Sequence, residues 1–373
     1  MNVLDLGTEA RSVADVEHVL AQQRRRAAGA AREGLLPPAR AAVLNVVVHA
    51  TRRVHAERAA RVIAELGARH PSRAILLFPG EGPAGDGVRL TAHEQATGGG
   101  QVCYEQIVVR TSAWSAHQLR SIVAPLLVPD LPVFVWWTGT PPLGSPLFGV
   151  IAELADRLIV DSEDFARPQE TLPQLLALLR DRTIALTDLN WTRLTAWREL
   201  LAQFFDVPES RPFLDAVGGL RVGFAVGLDG REIHPSQALL LLGWMAGRLG
   251  WRAEERLAPS EAGGLLFRMA RPDGARLWIR LRPRFWRGVD DGDVTGVRVL
   301  ADLVGRHAEF VIKRAEDGSA HAETRSLVGD KAITQRRVLL PLPVVSELLA
   351  EELSITRSDL VYEDALAALC ALT

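Results

Sequence analysis

The residue types that most often do chemistry are all present in this chain, but not in the spacings that chemistry needs. Nine histidines are available. His49 falls at a strand end, His55 on the helix after it, His70 at a helix end and His93 on a strand. No pair forms a HxH, HExxH or CxxC pattern, and Cys103 has no histidine close by. The donor spacing of a metal site is therefore missing. A nucleotide site needs a glycine-rich turn between a strand and a helix, because phosphate sits on the exposed N–H groups there. The first strand instead runs into His49-Ala-Thr-Arg, and Gly98–Gly99–Gly100 separates two strands. There is no G-x-S-x-G elbow and no cysteine in a recognisable nucleophile motif. We expect no catalytic, cofactor-binding or metal-binding residues and no cofactor.

Trp and Arg do cluster. The chain has nine Trp but two Tyr. Trp136 and Trp137 close a buried strand at its carboxyl end, where open α/β sheets place their ligand crevice. Neighbours on a strand point to opposite faces, so at most one of the pair faces a given layer, and helices covering both is the competing reading. On the segment 190–206, Trp191, Leu194, Trp197, Leu201 and Phe204 recur at steps of three and four, which puts them on one helical face. Arg193 and Arg198 lie within or at the edge of that arc. Such arginines snorkel, pair with a carboxylate, or form an interface, where Trp and Arg dominate the binding energy. Trp136, Trp137, Trp191, Arg193, Trp197 and Arg198 are thus the candidate partner-binding residues.

The elements that must position them follow from composition and pattern. At 373 residues, with 48% hydrophobic and 24% charged residues, the chain can bury a large core and is long enough for two domains. The net charge of −2 argues against a general nucleic-acid binder. Nearly all the basic residues are Arg, with only Lys313 and Lys331 as lysines. Two distant cysteines, Cys103 and Cys370, make no disulfide framework and suggest a reducing compartment. Residues 1–34 lack the apolar core of a signal peptide. The longest apolar run, Ala238 to Gly247, is shorter than the about 20 residues a membrane span needs. A cytoplasmic protein with no membrane association is expected.

Residues 9–33 read as an exposed helix. Short Val/Ile/Leu runs at 42–49, 73–78, 132–137, 157–160 and 183–186 alternate with helices at 52–66, 116–127, 146–154 and 170–181, the mark of a parallel two-sided sheet. Strands at 88–94 and 102–110 form an antiparallel pair. Asn190 is read as the N-cap of a single helix over 190–206. After about residue 215 the texture changes to short strands with Asp-Gly turns at Asp273–Gly274 and Asp317–Gly318, plus helices at 235–250, 343–353 and 358–369. The expectation is an α/β N-terminal domain with a mostly parallel sheet, then a smaller α+β domain with an antiparallel sheet. The boundaries are 1–36 for a helical arm, 37–210 for the first domain and 211–373 for the second.

Several stretches resemble one family: HPSRAILLF (70–78), QVCYEQIVV (101–109), LPVFVWW (131–137), DRLIVDS (156–162) and DLNWTRLTAWRELLAQFFD (188–206). With ALLLLGWMAGRLGW (238–251) and DLVYEDAL (359–366), they are similar in content and order to the glucose-6-phosphate dehydrogenase assembly proteins, the OpcA family. The resemblance implies a bacterial, non-enzymatic allosteric activator. It would bind glucose-6-phosphate dehydrogenase, promote its active oligomer and support NADPH production in the oxidative pentose phosphate pathway. The family's association with thiol control is not matched by a C-terminal cysteine pair here. The alternative is a sugar-phosphate-binding enzyme of the same pathway, lactonase- or isomerase-like, using arginines for the phosphate near 137–143.

Overall fold

The computed structural model describes residues 8–10, 12–32, 42–67, 69–79, 89–97, 101–111, 115–181, 184–227, 234–260, 263–355 and 357–372. The expected turn at Gly98–Gly100 and the side chain of Cys103 lie outside the described residues. The chain divides into two compact units, each discontinuous in sequence. The first comprises 1–164, 182–189 and 344–358; the second comprises 165–181, 190–343 and 359–373. This differs from a single cut at 210, and the two units are almost equal in size. The tryptophan-rich segment after Leu189 and the helix over 168–181 both cluster with the antiparallel sheet, whereas 344–358 returns to the first unit.

The first unit is built on an eight-stranded sheet. In chain order its strands are β1 (Thr8–Ala10), β2 (Leu44–His49), β3 (Ser72–Pro79), β4 (Arg89–Thr97), β5 (Gln101–Thr111), β6 (Val133–Trp137), β7 (Arg157–Val160) and β8 (Ala185–Asp188). They lie side by side as β1-β4-β5-β3-β2-β6-β7-β8. The run from β5 to β8 is parallel, and β4 and β1 extend it antiparallel. Every residue of β2, β6 and β7 is buried. Two-sided coverage is why these strands read as continuous apolar runs rather than alternating ones. Because β2 has β3 on one side and β6 on the other, the winding reverses between β2 and β6. That reversal is the topological switch point of a doubly wound sheet.

Helix α1 (Val13–Arg32) is not an exposed arm: Val16 and Leu20 are fully buried, and it packs on β4. Helix α2 (Arg53–Leu66) lays Ala56, Ala59, Ala60 and Ile63 on Val46, Val48 and Phe134 of the sheet. Helices α3 (Ala116–Leu126), α4 (Pro146–Ala152) and α5 (Pro168–Asp181) follow in sequence. The first unit also holds α9 (Val345–Glu352), whose Leu348 and Leu349 join the α2 core. Its last residue, Glu352, pairs with Arg157 of β7 at 3.1 Å, with both side chains buried. Arg157 also donates to the Arg357 carbonyl at 2.8 Å. Loss of either partner would strand a buried charge, so this pair fixes where the returning segment sits.

The segment 190–206 is not one helix. It is α6 (Leu189–Arg193), a tightened turn at Leu194, α7 (Thr195–Gln203) and a 3-10 turn over Phe204–Asp206. The Leu194 amide bonds Trp191 O, three residues back, at 3.2 Å, which is where the regular ladder gives way.

The second unit carries another eight-stranded sheet. Its strands are β9 (Val217–Val226), β10 (Arg252–Ala253), β11 (Leu265–Ala270), β12 (Arg276–Phe285), β13 (Val294–Leu303), β14 (Arg306–Arg314), β15 (His321–Val328) and β16 (Lys331–Leu339). Their order is β10-β11-β12-β9-β13-β14-β15-β16, antiparallel except for the β12–β9 pair. Hairpins form at both Asp-Gly turns, where Gly274 and Gly318 take positive φ of 82° and 74°. Helix α8 (Ser236–Leu249) has ten buried positions, which explains its all-round apolar sequence. It crosses α10 (Leu360–Cys370) at Gly243 and Gly247.

That crossing yields a test. A Cβ on Gly243 would fall 2.5 Å from Ala365 O and 2.9 Å from Leu369 Cγ. In an uncrowded helix, Gly→Ala stabilises, but here overpacking should cost about 1–3 kcal/mol. We expect Gly243→Ala to lower the urea midpoint. A raised midpoint would mean that α8 and α10 separate at no cost.

Candidate functional site

Three places carry chemistry-bearing side chains. The first is the switch point at the carboxyl ends of β2 and β6. His49 and Trp137 are register partners, so their side chains share a face, and the rings stack with centroids 3.9 Å apart at 15°. Phe148 of α4 closes edge-on against Trp137 at 5.1 Å. Trp137 is fully buried, and Trp136, pointing the other way, is buried in the α2 core. Both sequence-selected tryptophans are therefore covered, because each fills the layer on its own side of a two-sided sheet. Burial holds His49 neutral, pulling its pKa from 6.5 to about 4. The β2–α2 turn has no glycine, and its own side chains interact: Arg52 Nη2 lies 2.8 Å from His55 Nε2, and Thr51 Oγ1 lies 3.3 Å from His55 Nδ1. No side chain caps the start of α2, and Thr51, Arg52 and Val54 are exposed, so what this turn lacks of a dinucleotide site is the glycine-rich approach.

The second place is the 190–206 segment. Trp191 and Trp197 are buried. The Trp191 indole N–H donates to Asp359 Oδ2 at 2.7 Å, and its ring packs on Tyr362. Asp359 also caps α10, its Oδ1 accepting from the amides of Val361 and Tyr362. The Arg198 guanidinium lies over the Trp191 ring at 3.5 Å. Burial lowers its pKa to about 10, against the pull of Asp359 and Glu199. Arg193 is half-buried and donates to Asn190 Oδ1 at 3.3 Å. Asn190 does not open a single helix over 190–206. It sits inside α6, and its Oδ1 also accepts from Gln237 Nε2 at 3.0 Å. The face that the sequence marked for a partner thus has its tryptophans turned into the second unit.

The third place went unmarked. The second unit's sheet has one apolar face and one open face. On the open face Arg280, Arg221 and Arg298 stand directly opposite one another on β12, β9 and β13, with Val311 and then Arg325 continuing the row on β14 and β15. Beside this row is a hollow of about 410 Å³ lined by Arg221, Gly223, Arg284, Trp286, Gly296 and Lys313. The signal was in the sequence: RLWIRLRPRF (276–285) alternates arginine with apolar residues at period two.

Among the described residues no three or more His, Cys, Asp or Glu side chains gather to hold a metal ion, and no helix is long and apolar enough to cross a membrane. Cys370 is a free thiol donating to Pro173 O at 3.3 Å, and burial pushes its pKa up.

The fold and these sites define a protein of two units, one α/β with a mostly parallel sheet and one with a mostly antiparallel sheet. Domain descriptions of the glucose-6-phosphate dehydrogenase subunit match consecutively, the N-terminal domain over residues 63–177 and the C-terminal domain over 184–366. The chain belongs to this family, the OpcA proteins of glucose-6-phosphate dehydrogenase assembly. Among curated relatives, an OxPP cycle protein OpcA of Nostoc punctiforme is 33% identical over 196 residues, 52% of this chain and 41% of the relative. One from Synechocystis is 35% identical over 190 residues, 50% of this chain and 38% of the relative. The matches thus span about two-fifths of the length of these relatives. Similar solved structures include a 3-ketoreductase from Actinomadura kijaniata, with TM-score 0.49, 10% identity and coverage of 88% of this chain and 95% of that one. A levoglucosan dehydrogenase gives TM-score 0.48 and 12% identity, covering 89% and 97%.

Two outcomes follow from this geometry. Between pH 6.5 and 4 the unfolded chain takes up a proton that folded His49 refuses, so His49 makes stability fall as pH falls through that window. The total is about 3 kcal/mol at roughly 1.4 kcal/mol per pH unit. His49→Phe, which keeps the stack, should show a shallower loss of melting temperature between pH 7 and about 4.5 than the unaltered chain; equal slopes would place the titration elsewhere. Separately, Asp359→Ala removes the α10 cap and strands the Trp191 N–H, at a cost of roughly 2 kcal/mol or more by chemical denaturation. Unchanged stability would show that this cluster does not hold the fold.

Proposed function

We propose that the chain is a non-catalytic partner of glucose-6-phosphate dehydrogenase. It binds the enzyme, promotes its active oligomer, raises its activity and so supports NADPH supply in the oxidative pentose phosphate pathway of a bacterial cytoplasm. The carrying observation is the pair of consecutive family matches over 63–177 and 184–366. The β2–α2 turn supports a non-catalytic role, because it has none of the glycines with which a doubly wound sheet approaches a dinucleotide. No cofactor is needed for this role.

Size-exclusion chromatography with light scattering, on the chain mixed with its own organism's dehydrogenase, should show a species heavier than either component. NADPH formation assayed in parallel should rise. Independent elution with an unchanged rate would end the proposal. The chain alone, shown free of dehydrogenase, should reduce no NADP with glucose 6-phosphate; sustained turnover would refute the non-catalytic role.

A further inference from the structure

The chain as a whole carries a net charge of −2. The open face of the second unit's sheet is nonetheless strongly basic. Arg298 and Arg325 share Glu309, at 2.9 and 3.1 Å, and Lys313 pairs with Glu316. Among the described residues Arg221, Arg280, Arg282 and Arg284 have no carboxylate within salt-bridge distance. Arg221 also faces Arg280 on one side and Arg298 on the other. Like charges directly opposite on paired strands work against the sheet, so folding does not account for this row. Large apolar side chains stand exposed beside it: Trp278 is 50% exposed, and Leu266, in register with Arg280, 39%. Arg and Trp together on an open face are the residue types that dominate interface energetics.

We propose that this face docks an acidic surface of a different protein, and, resting on the function proposed above, that this partner is the dehydrogenase. A second copy of the chain fits poorly, since a two-fold contact through this face would set the arginine row against itself. A nucleic acid fits poorly as well, because Glu309 and Glu323 stand among the arginines and would meet its phosphates. A small anion would engage only part of the row, which runs across five strands at about 4.8 Å each. A protein face carrying Asp and Glu can answer the whole row, by bidentate pairing with the planar guanidinium groups.

The test is charge reversal at arginines that no carboxylate holds. Arg221→Glu, Arg280→Glu and Arg284→Glu, combined, should weaken binding to the dehydrogenase by about a hundredfold or more, measured by interferometry at about 50 and about 200 mM salt. The unaltered chain should lose affinity with salt, and the variant should keep its melting temperature. Should the triple variant melt lower, Arg221→Gln with Arg284→Gln decides, with roughly a tenfold loss expected. Unchanged affinity and salt slope in a folded variant would overturn this surface while leaving the proposed function standing. If the unaltered chain forms no complex at all, both fall. Tighter binding to a DNA duplex than to the dehydrogenase, lost in the same variants, would also overturn the proposal.

Discussion

The side chain of Gln237 holds the second unit's parts in register, because both ends of one amide are used. Its Nε2 donates to Asn190 Oδ1 at 3.0 Å and to Asp293 Oδ1 at 2.6 Å, while its Oε1 accepts from the Val294 amide at 2.9 Å. One buried group thereby ties α8 to α6 and to the start of β13. A buried amide with a missing partner would cost about 1–3 kcal/mol per unsatisfied atom, so the three partners constrain one another. Asp293 pays part of this in its own titration: burial raises its pKa, opposed by Gln237 and by the Asp290 amide. Arg193 and Arg314 supply positive charge toward the same carboxylate.

This network accounts for the odd composition of DLNWTRLTAWRELLAQFFD. Asn190 serves Gln237, Trp191 serves Asp359, Arg198 covers Trp191, and Phe204 and Phe205 pack on Phe310 of β14. Each unusual residue has an internal partner. A Trp–Arg stripe on a helix reads the same whether it faces a neighbouring protein or its own sheet. The distinguishing fact is the location of Gln237, Asp293 and Asp359, each some fifty to nearly one hundred and seventy residues further along the chain.

Much of the fold was legible in the sequence because two-sided burial leaves a simple trace. The runs at 42–49, 132–137 and 157–160 read as covered strands, and the Asp-Gly turns read as hairpins. What escaped was non-local. β16 is rich in charged and polar residues and has a register shift against β15, so no clean alternation marks it as a strand. The discontinuous units escaped for the same reason: nothing local in 344–358 says that Glu352 will find Arg157, nearly two hundred residues back. At the candidate sites, residue type was legible and direction was not. Trp136 and Trp137 stood out as large and unusual, yet on a two-sided sheet size is what closes a layer.

The contrast between the two arginine sets separates fold from recognition. Arg198 lies on an indole ring in a site dry enough to lower its pKa, and Arg157 and Arg314 are buried against Glu352 and the Leu340 carbonyl. These are arginines whose charge the interior has already answered. Arg221, Arg280, Arg282 and Arg284 sit instead on an open face, where water and salt screen the charge but no carboxylate pairs with it, and Arg221 and Arg280 stand opposite each other. The other face of the same strands buries Leu220, Val222, Ile279 and Val299, which hold the sheet together. The repulsion is therefore tolerated rather than relieved. Screening by water and salt is what makes it tolerable, and an acidic surface docked there would supply the carboxylates that the sheet itself does not.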